Sequence, residues 1–179
     1  NVLTSFRVMD KLNEIGFDAS LVVVGEVLDK SILIEIESRD YVTHKSFANK
    51  EKLLEYYNNS DIYIMPSIYE TFGRVYLEAM SQGLPVLYSK GQGFDGLFEE
   101  GEVGFSISKH DINDIINKIF RVIENYDLIS KACIKRVSRY SWSSIAKQTH
   151  EFYESILKVK NGERSSNEES YNENRRAYP

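Results

Sequence analysis

Only one cysteine, Cys133, occurs in the 179 residues, so no internal disulfide can staple the fold. No apolar run approaches the roughly 18 residues that a membrane-spanning helix needs, and no charged-then-apolar leader opens the chain. Both absences are expected of a protein kept in the reducing cytoplasm. The three histidines, His44, His110 and His150, are scattered and share no metal-ligand spacing with Cys133 or with a carboxylate cluster, so no bound metal is expected. A basic excess is missing as well: 22 Lys and Arg against 27 Asp and Glu leave a formal charge of −5. Domains that grip phosphate backbones carry the opposite imbalance, so nucleic acid is not an expected partner. No internal repeat is evident.

What is present suits one compact core. Hydrophobic residues make up 42% and aromatics 12% of a chain too short for two sizeable domains. Phe6, Val8, Met9, Leu12 and Ile15 recur at helical spacing up to Gly16, so the chain starts inside a helix. Strands are expected at Leu21–Gly25, Tyr41–His44, Ile62–Met65 (stopped by Pro66), Val86–Tyr88 and Phe105–Ile107. Between them helices are expected at 30–37, from Asn49 to Tyr57, and from Arg74 to Ser81, which Gly83 and Pro85 close off. Asp111 caps an amphipathic helix carrying Ile112, Ile115, Ile116, Ile119 and Ile123, and two further helices follow at about 127–138 and 142–158. Residues 161–179 are dominated by Asn, Glu, Ser and Arg and read as a disordered polar tail. Short buried strands alternating with helices imply an α/β fold with a doubly wound parallel sheet. Ligands of such sheets sit at the carboxyl ends of the strands.

By that rule the loop Pro66-Ser67-Ile68-Tyr69-Glu70-Thr71-Phe72-Gly73 faces ligand. A helix starting near Gly73 offers free amides and the positive end of its dipole to an anion, with no side chain in the way. Glu70 precedes that helix, and Glu78 lies within it, four residues after Arg74 and on the same face. Carboxylates are poor phosphate ligands but good acceptors for paired hydroxyls, so a diphosphate with polyols on both sides matches. The plainer reading is a helix-start charge, an Arg74–Glu78 ion pair and an ordinary turn glycine.

The joint run Pro66-Ser67, Glu70-Thr71-Phe72-Gly73-Arg74-Val75-Tyr76-Leu77-Glu78-Ala79-Met80 and Gly83-Leu84-Pro85-Val86 resembles the signature of family-four glycosyltransferases, the glycosyl transferases group 1. The likeness extends over nearly all of residues 1–160, in the order of the donor-binding, C-terminal Rossmann-like half of a GT-B fold. It implies that 1–160 is a donor nucleotide-sugar-binding domain. It implies further that Glu70 holds the donor sugar at the reacting carbon, that the amides of Phe72 and Gly73 meet the sugar, and that those of Arg74 and Val75 meet the diphosphate. Glu78 would then accept from the ribose hydroxyls. The implied reaction is retaining transfer from a UDP-, GDP- or ADP-sugar to a glycan or lipid-linked acceptor hydroxyl, without a cofactor, in surface polysaccharide or glycan biosynthesis.

The resemblance also implies elements outside this chain: an acceptor domain and a central strand, between the Leu21 and Ile62 strands, that leads to an Arg and a Lys. Without them the chain alone is expected to be inactive. A non-catalytic remnant or interaction module of the same fold is the alternative. Two positions depart from the family pattern: Lys45-Ser46 stands where a glycine is common, and Gly96, next to Asp95, stands where a glutamate often follows. Lys131, Lys135, Arg136 and Arg139 could form a basic patch for peripheral contact with the inner face of the membrane, a solvated helix face being the plainer reading. Trp142 is expected to pack in the core, with Ser141 or Ser143 capping the last helix.

Overall fold

The computed structural model describes residues 1–158, so the polar stretch 161–179 lies outside the described residues. The chain divides into two units, Asn1–Val137 and the part from Ser138 onward. The first unit begins with helix α1 (Val2–Glu14), which buries Phe6, Val8, Met9 and Leu12 on one face. Asn13 then turns the chain toward the sheet: its carboxamide accepts the Ala19 N–H at 2.7 Å and donates to the Ala19 carbonyl at 3.0 Å. Strand β1 (Leu21–Val24) pairs in parallel with β2 (Val42–Lys45), in the register Leu21 to Val42. The crossover between them is α2 (Lys30–Glu37), whose first turn is capped by Asp29 through the Ser31 N–H.

Helix α3 (Lys50–Asn58), capped by Asn49, leads to β3 (Tyr63–Met65). Helix α4 (Arg74–Ser81) connects β3 to β4 (Val86–Ser89), and β5 (Gly104–Ile107) completes a parallel sheet of order β3-β4-β5. All four residues of β4 are buried, as a middle strand covered on both faces requires. Helix α5 (Ile112–Glu124) starts at Asp111, which accepts the Asp114 N–H, and buries Ile115, Ile116, Ile119 and Val122. Helix α6 (Tyr126–Val137) buries Ile129 and Cys133. Each such apolar side chain withdrawn from water contributes about 1.5–3 kcal/mol, and these residues join β4 and β5 in one continuous core.

The parallel α/β class and the crossover order are as the sequence predicts. Two strands begin one residue later than expected, because the ladder decides where they start: Val42 is the partner of Leu21 and Tyr63 the partner of Val86. The sheet is also divided. Among the described residues no ladder joins β1 to β3, and the break falls between the two strands where the family resemblance puts a further one.

A polar tie holds α1 against α2 and β2. Arg39 donates to both carboxylate oxygens of Asp10, at 2.9 Å from Nη2 and 3.1 Å from Nε, and to Glu35 Oε2 at 2.7 Å. The Tyr41 hydroxyl donates to the same Asp10 carboxylate. The Arg39 hydrogen bonds hold Asp10 below its ordinary value of 3.8, against the opposing effect of burial, and Tyr41 adds to the lowering. A depressed carboxylate adds stability that is complete above its unfolded pKa and is lost as pH falls through the folded one. Asp10→Asn is therefore expected to flatten the acid limb of a urea-unfolding profile below about pH 4 while leaving its shape between about pH 5 and 9 unchanged. An acid limb as steep as the wild type's would count against the tie.

The second unit is described from a 3-10 turn (Ser138–Tyr140) into a helix over 142–158. Ser141 Oγ accepts the Ser144 N–H at 3.2 Å, the cap expected of it. Trp142 is not in a core: it is 82% exposed. The described part of this unit is one helical run, with no second apolar layer of its own to cover the indole.

Candidate functional site

Strand β3 ends at Met65, and Pro66 turns the chain into an irregular loop that reaches α4 at Gly73. Gly73 adopts left-handed φ of +76°, and no side chain caps the helix after it. The Tyr76 N–H bonds back to the Gly73 carbonyl at 2.9 Å, so the earlier amides of this helix start have no intrahelical partner. A Cβ at Gly73 would lie 2.4 Å from the Tyr76 ring. That ring cannot yield easily: Tyr76 is buried, its hydroxyl donates to the Met65 carbonyl at 2.9 Å, and its centroid lies 4.6 Å from that of Phe94 and 5.7 Å from that of Tyr63. The glycine and the tyrosine together set where α4 begins.

Glu70 is half-buried in the loop. Its Oε1 accepts the Phe72 N–H at 3.2 Å, its own N–H donates to Gln92 Oε1 at 2.8 Å, and its carbonyl accepts the Gly93 N–H at 3.1 Å. Glu78 stands exposed on α4. Arg74 and Glu78 form no ion pair among the described residues, so the plainer reading of that spacing does not hold. Burial pushes the Tyr57 hydroxyl up to about 12, with the Glu78 charge adding to it. Burial likewise raises Tyr76, with the Glu70 charge adding, and raises Tyr63, which feels both carboxylates. Glu70 thus precedes α4 and acts on Tyr76, while Glu78 lies within the helix and acts on Tyr57.

Glu70, Phe72, Gly73, Arg74 and Val75 form one continuous stretch around the helix start, and Glu78 follows on the same helix. The loop after β4 brings residues that sequence reasoning did not single out. Gln92 and Gly93 hold Glu70, and Ser89 Oγ donates to the Ser67 carbonyl at 2.8 Å. Only the glycine spacing of that loop is visible in the sequence. Asp95, the carboxylate beside Gly96, accepts the Gly91 N–H at 2.7 Å.

Among the described residues no group of His, Cys, Asp and Glu gathers as a metal site. Cys133 is buried in α6, its Sγ donating to the Val103 carbonyl, and burial pushes its thiol up to about 12, which makes it a core residue. Of the basic residues near the end of α6, Arg136 is paired with Glu102, so the expected patch loses one of its charges. No described helix is long and apolar enough to cross a membrane.

Parallel strands joined by crossover helices, with a glycine-led helix start after β3, define a Rossmann-like half of the GT-B class. The chain belongs to the glycosyl transferases group 1, whose family model matches residues 1–139. It is 30% identical over 141 residues to the sulfoquinovosyl transferase SQD2 of Arabidopsis thaliana, a match covering 75% of this chain and 27% of the plant protein. Its fold superposes on the sucrose-phosphate synthase of Thermosynechococcus elongatus with a TM-score of 0.72 at 25% identity, covering 88% of this chain and 42% of that one. It superposes equally on Anabaena HepE, solved in complex with UDP and glucose, with a TM-score of 0.70 at 25% identity, covering 83% and 44%. The chain therefore spans less than half the length of each of these proteins.

Proposed function

We propose that residues 1–160 form the donor-binding domain of a retaining glycosyltransferase that moves a sugar from a UDP-sugar to the hydroxyl of a glycan or lipid-linked acceptor. The observation that carries this reading is the start of α4 at Gly73, which no side chain caps, with Glu70 before it and Glu78 within the helix. The diphosphate meets the amides of Arg74 and Val75, where the helix dipole and free donors favour negative charge. Glu78 accepts from the ribose hydroxyls, and Glu70 from hydroxyls of the sugar. In the free protein the Glu70 carboxylate occupies the Phe72 amide. Donor entry exchanges that internal bond for sugar hydroxyls on Glu70 and leaves the Phe72 and Gly73 amides for the sugar's own oxygens. Departing diphosphate charge is then stabilised by donors already in place, with little reorganisation.

Uridine as the base is supported by the fold shared with HepE, whose structure holds UDP and glucose. The cytoplasm as the compartment is supported by the one cysteine, buried as a thiol. A role in polysaccharide or glycan biosynthesis rests on the family resemblance of the Glu70–Met80 run. Calorimetry with UDP and with UDP-glucose separates the roles of the two acids. Glu78→Ala is expected to weaken both ligands about tenfold or more, the effect of losing a charged hydrogen-bond acceptor. Glu70→Ala is expected to weaken UDP-glucose alone. Undiminished binding of both ligands by the double variant would sink the assignment, and a wild-type chain indifferent to both would point to a non-catalytic module.

A further inference from the structure

Glu70 sits in a loop without regular secondary structure, so its carboxylate is held only as firmly as its backbone. Ties from outside the loop supply that firmness. Asn1 Nδ2 donates to the Pro66 carbonyl at 2.9 Å, Ser89 Oγ to that of Ser67 at 2.8 Å, and Lys109 Nζ to that of Ile68 at 3.0 Å. The remaining two converge on Glu70 and come from consecutive residues. Gln92 Oε1 accepts its N–H at 2.8 Å, and the Gly93 N–H meets its carbonyl at 3.1 Å. Both backbone groups of Glu70 are thereby engaged, as in one rung of a ladder. Of the five ties, the one from Gln92 is the only side chain that reaches Glu70 itself.

The presentation of Gln92 is itself built. Its Nε2 lies 3.3 Å from the Gly91 carbonyl, which turns the amide oxygen toward Glu70. Asp95 closes the turn from the other side, its carboxylate taking the Gly91 N–H and its own N–H donating to the Gln92 carbonyl at 2.9 Å. The next residue fits in one way only: a Cβ on Gly93 would lie 1.7 Å from the Thr71 carbonyl oxygen, so the two loops meet backbone to backbone. Phe94 then anchors the strip in the core against Tyr76 and Tyr88, at centroid distances of 4.6 and 5.0 Å. Gln92 is thus a half-buried amide on a rigid mount, aimed at the backbone of the one carboxylate assigned to the sugar.

We propose that Gln92 is a positioning residue for Glu70: through its Oε1 it fixes the loop backbone so that the Glu70 carboxylate reads the sugar part of the donor, and it leaves the nucleotide part to α4. This rests on the donor-binding reading above. A residue that merely fills space in the loop would affect UDP and UDP-glucose alike, or stability alone. A residue that touches ligand through Nε2 would be disabled by any change of that nitrogen. A positioning acceptor is separated from both by Gln92→Ala, which removes Oε1, and Gln92→Glu, which keeps an acceptor at that place and removes Nε2.

The test uses the full chain and two readouts. Amide hydrogen exchange, followed by NMR without ligand, is expected to rise about tenfold at Glu70 in Gln92→Ala, the size of one lost hydrogen bond, and to stay near wild type in Gln92→Glu. The ratio of UDP to UDP-glucose dissociation constants is expected to fall toward one in Gln92→Ala, with UDP binding unchanged, and to be retained in Gln92→Glu. Unchanged exchange at Glu70 in Gln92→Ala, or loss of the ratio in both variants, overturns the role of Gln92 while leaving the donor-binding reading in place. A wild-type chain with no preference for UDP-glucose over UDP overturns that reading, and the sugar-reading role of Gln92 with it.

Discussion

Tyr76→Ala should lower the unfolding free energy by about 3–5 kcal/mol, the range for deleting a large aromatic from a packed interior. Tyr76 is 1% exposed, and its ring touches Tyr63 on β3, Tyr88 on β4 and Phe94 in the loop beyond. Removing it opens a cavity where α4, the sheet and both site loops meet, and such a cavity collapses only partly. Tyr76→Phe keeps the packing and gives up only the hydrogen bond to the Met65 carbonyl, which also accepts the Ser67 N–H. A loss of about 1 kcal/mol is expected of it. Urea titrations of the two variants check this, and a Tyr76→Ala protein within 1 kcal/mol of wild type would mean that the aromatic cluster does not hold the helix start.

Gly73→Ala is the second large effect, and it joins stability to binding. Alanine at φ of +76° carries backbone strain of about 1–2 kcal/mol. The new methyl would also meet the Tyr76 ring at 2.4 Å and Glu70 Cγ at 3.3 Å. Because the ring is locked, relief comes from moving the helix start itself, which displaces the amides proposed to receive the diphosphate. UDP affinity is expected to fall about tenfold or more in calorimetry at a temperature where the variant remains folded. Gly16→Ala is the matching control, since Gly16 has φ of +93° and nothing within 4 Å of an added Cβ. That variant should show the strain in its melting temperature and no change in UDP binding. Equal UDP binding by Gly73→Ala and wild type would remove the helix start from the site.

Much of this architecture is readable from local signals. The apolar periodicity of Phe6 to Leu12, the cap at Asp111 and the stop at Pro66 each act within a few residues, and each is found where the sequence puts it. Strands start at Val42 and Tyr63, one residue past the start of the apolar run in each case, because register belongs to a pair of strands rather than to either alone. Trp142 shows another limit: an aromatic at the start of a helix is apolar in any context, yet only the presence or absence of a second layer decides whether it is covered. Arg74 and Glu78 share a helix face by their spacing, but whether they pair depends on what else surrounds them, and here they do not.

By itself the sequence determined the parallel α/β class, the helix that begins after Gly73 and the glutamates before and within it, since helical phase and turn chemistry are properties of consecutive residues. Only the tertiary structure decided how Glu70 is held. Gln92 and Gly93 reach it across 22 and 23 positions of chain, through loops that come together because β3 and β4 lie side by side in one register. Hydrogen bonds made across such a separation leave no periodicity in the sequence, for they depend on the distance between two backbones and on the glycine that lets those backbones touch.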